Sequence, residues 1–143
     1  MKRDIKFRGK RADNGEWVHG DLIQLDNQSC IAGSHQLAIA LQNNVLGLGV
    51  YEVIPETVGQ FTGLLDKNGV KIYEGDILYY RYDDQLEDNG YREVYYEVIF
   101  KDGAFGVMGE ITNEFLPFSD NPRITEVIAG NIHDYPEMLE LWK

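Results

Sequence analysis

The chain is poor in cysteine and proline, and it has no long apolar run. Its single cysteine, Cys30, excludes an internal disulfide and any cysteine-rich zinc site. A disulfide between chains would require an oxidising compartment. Four prolines beside 15 glycines exclude a proline-rich linker and suit a fold with many tight turns. No run approaches the roughly 18 apolar residues of a membrane helix, and the N-terminal MKRDIKFRGKR lacks the apolar centre of a signal peptide, so a cytosolic location is expected. Catalytic signatures are also missing. There is no Gly-x-Ser-x-Gly elbow and no Gly-x-x-x-x-Gly-Lys-Ser/Thr phosphate loop, and Gly47-Leu48-Gly49 lacks the third glycine of a dinucleotide site. The expectation is a protein without enzymatic activity and without a cofactor.

What the chain does have is a hydrophobic content of 43%, an aromatic content of 12% and a net charge of −11 over 143 residues. The first two suffice for a packed core and argue against disorder, and the length suits a single domain. The charge is uneven. Met1–Arg11 holds six basic residues against Asp4, about +5, which leaves about −16 for the remainder. A surface that acidic repels nucleic-acid backbones, so any phosphate binding would be confined to the N-terminal segment.

That segment reads KRDIKFRGK. Ile5 and Phe7 alternate with Lys6 and Arg8, the period of a half-buried strand with a basic outer face. Its plain reading is an edge strand guarded by solvated cations; its sharper reading is a phosphate-binding stripe through Lys6, Arg8 and Lys10. Asn14-Gly15 then marks a hairpin turn, and Gly20-Asp21 a second bend before Leu22-Ile23. Asp26–Ser29 turns into a short strand at Cys30-Ile31-Ala32. His35–Leu41 fits a strand or one to two turns of helix, and Leu46–Val50 suits a strand lying close to another backbone.

The most informative stretch runs from Glu52 to Leu78. A strand over Tyr51–Ile54 is stopped by Pro55, and Asn68-Gly69 between Phe61–Leu65 and Val70–Tyr73 is the strongest local hairpin signal in the chain. Glu74-Gly75-Asp76 bends the chain again before Ile77–Tyr82. This succession of strand and turn signals predicts the nucleus of a small β-barrel. The order Asn-Gly, strand, Gly-Asp, strand occurs at 14–21 and again at 68–76. Internal duplication and reuse of the same turn chemistry are both open.

The second half continues with Glu93–Phe100, in which Val94, Tyr96, Val98 and Phe100 share one face. The preceding loop DDQLEDNGY is acidic and is expected to be a solvated, mobile tip. Lys101-Asp102-Gly103 turns into Ala104–Met108, Glu114–Phe118 is an apolar loop or short strand, Ser119–Pro122 is a turn, and Ile124–Ala129 is the final strand. Asp134 and Pro136 predict the start of a short C-terminal helix bearing Met138, Leu139, Leu141 and Trp142.

Three blocks together, IKFRGKRADNGEWVHGDLI, PETVGQFTGLLDKNGVKIYEGDIL and VIAGNIHDYPEMLELW, resemble in order the opening, central signature and close of the YopX family. These are small proteins found mostly in bacteriophages and prophages. The resemblance implies a mainly β domain with an SH3-like barrel, a phage or prophage origin and so the cytoplasm of a bacterial host cell. The family has no established activity, so it implies no catalytic residues.

Four chemistries compete for the remaining residues. Cys30 and His35 are separated by four residues, and His19 and His133 lie far off in sequence. Zinc needs three or four converging ligands, so surface or turn histidines are the better reading. Asp76, Asp102 and Asp134 each adjoin a turn, where aspartate bonds nearby N–H groups. Ser29, Cys30, Ser34 and His35 cluster without a nucleophile motif. Tyr79, Tyr80, Tyr82, Tyr91, Tyr95 and Tyr96 crowd one predicted hairpin among six acids, which suits either cross-strand packing or a cationic partner. Tyr79 and Tyr95 are expected on the face away from the core.

The whole reading is an all-β chain, 1–143, as one YopX-like domain. It has an N-terminal β-hairpin region (1–50) and a part comprising an SH3-like barrel and a short C-terminal helix (51–143), with the barrel itself over about Val53–Ile132. The expected role is binding to a protein partner or self-association, with no membrane contact, on a surface drawn from Lys6, Arg8, Lys10, Tyr79 and Tyr95. A nucleic-acid-associated role through the basic N-terminal strand is the alternative.

Overall fold

The computed structural model describes residues 4–33, 49–108, 114–118 and 125–137. They form two antiparallel sheets, and the chain divides into two compact units, Met1–Phe61 and Thr62–Lys143. The mainly β expectation holds. The finer expectation of an SH3-like barrel over Val53–Ile132 is not confirmed. Strand order in each sheet is linear, no closed barrel is found among the described residues, and Val53 belongs to the first unit.

In the first unit, β1 (Phe7–Lys10), β2 (Trp17–Leu25), β3 (Gln28–Gly33) and β4 (Val50–Val53) are joined edge to edge in the order β4-β3-β2-β1. On its other side β1 pairs with the start of β5 (Gly59–Leu65), Phe7 against Gln60 and Arg8 against Gly59. β1 is therefore an interior strand, not the guarded edge that its lysines and arginines suggest. The end of β4 also returns to the end of β1. Val53 bridges Arg11, and the Ile54 N–H donates to the Lys10 carbonyl at 2.8 Å. One bridge instead of a ladder leaves the ring of strands open.

Inside this unit Val18, Ile31 and Val53 are buried, with Phe7, Leu22, Tyr51 and Val58 packed against them. Pro55 ends β4 as expected and opens a 3-10 turn, Pro55–Thr57. The Thr57 hydroxyl donates to the Ile54 carbonyl at 2.6 Å and accepts the Lys10 N–H at 2.9 Å, so the turn is tied to β1.

Gly20-Asp21 is a correction. β2 runs unbroken through it, in register with both neighbours: Gly20 faces Phe7 on one side and Gly33 on the other. A Cβ at Gly20 would stand 1.8 Å from the Ala32 carbonyl oxygen, so this glycine permits close approach of backbones instead of a turn. Gly75, its counterpart in the second unit, does turn, with φ of 88°. The two Gly-Asp pairs thus do different work.

In the second unit the end of β5 hairpins onto β6 (Lys71–Tyr73). A five-stranded sheet follows in the order β10-β9-β8-β7-β11, built from β7 (Asp76–Asp83), β8 (Tyr91–Lys101), β9 (Ala104–Met108), β10 (Phe115–Pro117) and β11 (Val127–Asn131). The turn signals are where they were expected. Gly15, Gly69 and Gly90 all have positive φ, and at the β8–β9 turn Asp102 and Gly103 both do, at 53° and 82°. Positive φ at both central residues gives the mirror-image turn that matches strand twist. The core is Ile72, Leu78 and Val98, flanked by Leu64, Val107, Phe118 and Ile128.

Asp66, just before the Asn68-Gly69 turn, forms a strut. Only 2% exposed, its Oδ1 accepts the N–H groups of Asn68 and Val70 at 2.8 and 2.9 Å, while Oδ2 accepts the Ile128 N–H of β11 at 3.1 Å. The Lys67 N–H adds a bond to the Glu126 carbonyl. β11 accordingly begins at Val127, later than the expected Ile124, and carries a register shift between Ile128 and Gly130. At its end the Asn131 Oδ1 accepts the N–H groups of His133 and Asp134, a turn that precedes the expected helix start at Pro136. Met138, Leu139, Leu141 and Trp142 lie outside the described residues, as do His35–Leu41, Leu46–Leu48 and the Ser119–Pro122 turn.

Candidate functional site

Two surfaces inherit the sequence candidates, one in each unit. The first is built on β1. Lys6 is half-buried, and its carbonyl accepts the Phe61 N–H at 2.8 Å. Arg8 is only 8% exposed, which corrects the expectation of a solvated basic face. Its guanidinium carbon lies 4.7 Å from the centroid of the Trp17 ring, and Lys10 Nζ lies 5.5 Å from the same ring. The cause is register: Trp17 stands opposite Lys10, and His19 opposite Arg8. A cation within about 6 Å of an aromatic face is attracted by the ring quadrupole. Arg11 extends the pattern, 4.1 Å from the Tyr51 ring and paired with Asp13 at 2.7 Å. That hydrogen bond raises the Arg11 pKa and lowers that of Asp13.

The second surface is the β7–β8 hairpin. Its six tyrosines divide by strand parity: Tyr79, Tyr91 and Tyr95 on one face, Tyr80, Tyr82 and Tyr96 on the other. On the core-side face Tyr80 and Tyr82 stack at 6.1 Å. On the opposite face Tyr79 and Tyr95 stand directly across from one another, half-buried, with ring centroids 5.3 Å apart and planes tilted by 52°. The Tyr79 hydroxyl donates to Glu93 Oε1 at 3.0 Å. Partial desolvation, then this bond, raise the Tyr79 pKa. Arg81 stands opposite Glu93 but lays its guanidinium 4.0 Å over Tyr91.

Glu97, two residues beyond Tyr95 and on the same face, completes this surface. It sits in a row with Ile77 on one side and Met108 and Phe115 on the other. Ile77 is fully buried and the neighbours are apolar, so desolvation raises the Glu97 pKa above its usual 4.5. In the sequence Glu97 is one of the six acids of this hairpin. The signal that could have singled it out was its apolar cross-strand row, which requires the pairing register.

The loop between these strands is solvated, as expected, with Leu86 93% exposed. It is also bonded internally: Arg92 contacts Asp84 at 3.5 Å and Glu87 at 2.6 Å, and the Asp84 N–H donates to the Gly90 carbonyl at 3.0 Å. The other candidates do not join either surface. Asp76 accepts the Tyr73 N–H inside its turn, Asp102 forms the β8–β9 turn, and Asp134 bonds Asn131. Cys30 is half-buried in β3. Among the described residues no three His, Cys, Asp or Glu side chains converge as metal ligands, and no helix is long and apolar enough to cross a membrane.

Comparison with solved structures finds protein EF1440 from Enterococcus faecalis, known from a crystal structure, at a TM-score of 0.55 and 23% identity, covering 96% of this chain and 99% of that one. That likeness bears on the fold. No curated protein matches the sequence. The family match is broader in consequence: the family described as YopX protein matches residues 6–140, nearly the whole sequence. The chain belongs to the YopX family.

Proposed function

We propose that this protein acts by binding another protein rather than by catalysis, in a phage or prophage setting and in the cytoplasm of the bacterial host. The observation that carries the reading is the Tyr79–Tyr95 pair, half-exposed on the outward face of β7–β8 between Glu93 and Glu97. Tyrosine offers contact area with little rotamer entropy to lose, which is why it recurs in recognition surfaces. Its position is fixed by an extended antiparallel ladder instead of a loop, so the surface is preorganised.

The basic strand supports a nucleic-acid role less well. Arg8 and Lys10 lie against Trp17, and Arg11 is paired with Asp13, so these cations already have protein partners. The test is cross-linking of the full chain in host cells, followed by peptide mapping of the linked partner. The expected result is a protein linked near β7–β8, with that link lost in the Tyr95→Ala variant. Salt-dependent retention on DNA, lost when Lys6 and Lys10 become Ala, would overturn the reading in favour of nucleic acid. Sedimentation over a micromolar range separates self-association from a heterologous partner.

A further inference from the structure

We infer that the Tyr79–Tyr95 pair, bracketed by Glu93 and Glu97, receives lysine or arginine side chains from an extended segment of a partner protein. The inference rests on the binding role proposed above and specifies its chemistry. Four observations lead to it.

The first is geometric. With centroids 5.3 Å apart, the two rings leave a point outside the sheet that is within about 6 Å of both, the range in which a cation is held by aromatic faces. The second is charge. Glu93 and Glu97 fall two residues on either side of Tyr95, so strand periodicity puts both carboxylates on the tyrosine face. From Tyr79 to Glu97 there are two arginines and six acids, a net −4, which favours a cationic segment and disfavours nucleic acid.

The third is the setting of Glu97 among the described residues. Glu97 stands among Ile77, Met108 and Phe115, and neither nearby arginine is turned to it: Arg81 lies over Tyr91, and Arg92 is tied to Asp84 and Glu87. A carboxylate in apolar company is stabilised by an arriving cation more than a fully hydrated one is. The fourth is an internal precedent, because Arg81 already rests on Tyr91 at 4.0 Å on this same face. The partner's side chain would repeat that contact one step along the ladder, with a carboxylate to close it.

The experiment uses the full chain and a synthetic peptide of four Gly-Lys repeats, with its Gly-Arg and Gly-Glu counterparts, read by isothermal calorimetry and by tyrosine fluorescence. The lysine and arginine peptides should bind and the glutamate peptide should not. Tyr95→Leu, which keeps apolar area but loses the ring, should weaken binding about fivefold. Glu97→Gln should weaken it about two- to fivefold, and the two together roughly tenfold or more. Tyr95→Phe and Tyr79→Phe should retain binding, since each keeps its ring. Equal affinity for wild type, Tyr95→Leu and Glu97→Gln would overturn the inference, leaving only diffuse attraction to an acidic surface. So would equal binding of the glutamate peptide. Thermal unfolding of each variant guards against loss of fold. If a cross-linked partner maps to β7–β8 but is not displaced by the lysine or arginine peptide, the binding role stands and the cationic specificity falls. If the partner maps elsewhere, both fall.

Discussion

The two aromatic surfaces of this protein use the same chemistry in opposite states of completion. On β1 and β2, Trp17 lies beside Arg8 and Lys10, and Tyr51 beside Arg11, whose charge is answered by Asp13. On β7 and β8, the Tyr79 and Tyr95 rings and the Glu93 and Glu97 carboxylates share a face on which Arg81 is engaged with Tyr91. A completed arrangement stabilises the fold. An incomplete one is available for a ligand. Substitutions should therefore affect stability most in the first unit and binding most in the second.

The sharpest test of the first unit's frame is Gly20→Ala. With the Ala32 oxygen 1.8 Å from the added carbon, backbone must move, and the expected cost is about 4 kcal/mol or more, up to failure to fold. A urea midpoint within 1 M of wild type would show that β2 and β3 are less closely apposed than described. Next is Asp66→Ala in the second unit. It strands three N–H groups, including that of Ile128, and frees β11, which lies beside Tyr79; the expected loss is about 3 kcal/mol, with Asp66→Asn milder. Peptide binding on the tyrosine face should weaken in parallel if β11 helps hold Tyr79.

A direct contrast follows from the rings themselves. Trp17→Leu removes the surface on which Arg8, 8% exposed, is covered, and should cost about 2 kcal/mol without altering binding of the lysine peptide. Tyr95→Leu should cost about 1 kcal/mol or less, the worth of one tilted ring pair, while reducing that binding. Were the two variants to behave alike, the distinction between completed and open surfaces would collapse.

How much of this was visible in the sequence depends on range. Turns are local, so Asn14-Gly15, Asn68-Gly69, Asn89-Gly90 and Asp102-Gly103 could be read directly, and strand positions followed from them. Register is not local. The β1–β2 connection closes over Ala12–Gly15, with the Arg11 N–H bonded to the Glu16 carbonyl. A two-residue loop centred on Asn14-Gly15 would have placed Lys10 opposite His19 instead of Trp17. The cation–ring contacts therefore could not be derived from the turn motif. The same applies to Glu97, whose neighbours Ile77 and Met108 come from different strands, and to Asp66, whose third partner is 62 residues away. Tyr79 and Tyr95 were legible as an outward pair because strand parity alone decides which face a residue occupies.

The smallest expected effect is the most specific. Burial raises the Glu97 pKa above its reference of 4.5, so the folded chain holds that proton more tightly than the unfolded chain does. The resulting penalty is absent at pH below the unfolded value and is fully present once pH exceeds the folded one. Stability should thus fall through that window, and Glu97→Gln should remove this component. The groups sharing its face, Glu93, Tyr79, Tyr95, Arg81, Asp83, Tyr91 and Lys101, remain in the variant and provide the same background. Because Glu97 is only about half buried, the gain at neutral pH should be ~0.5 kcal/mol or less, vanishing near pH 4, as read from urea midpoints across pH 4–8. A residue kept only for the fold would not lose stability by being charged. A variant that is more stable yet binds the lysine peptide less tightly would place Glu97 on the side of function; one that is less stable at pH 7 would assign it to the fold and return the tyrosine face to simple packing.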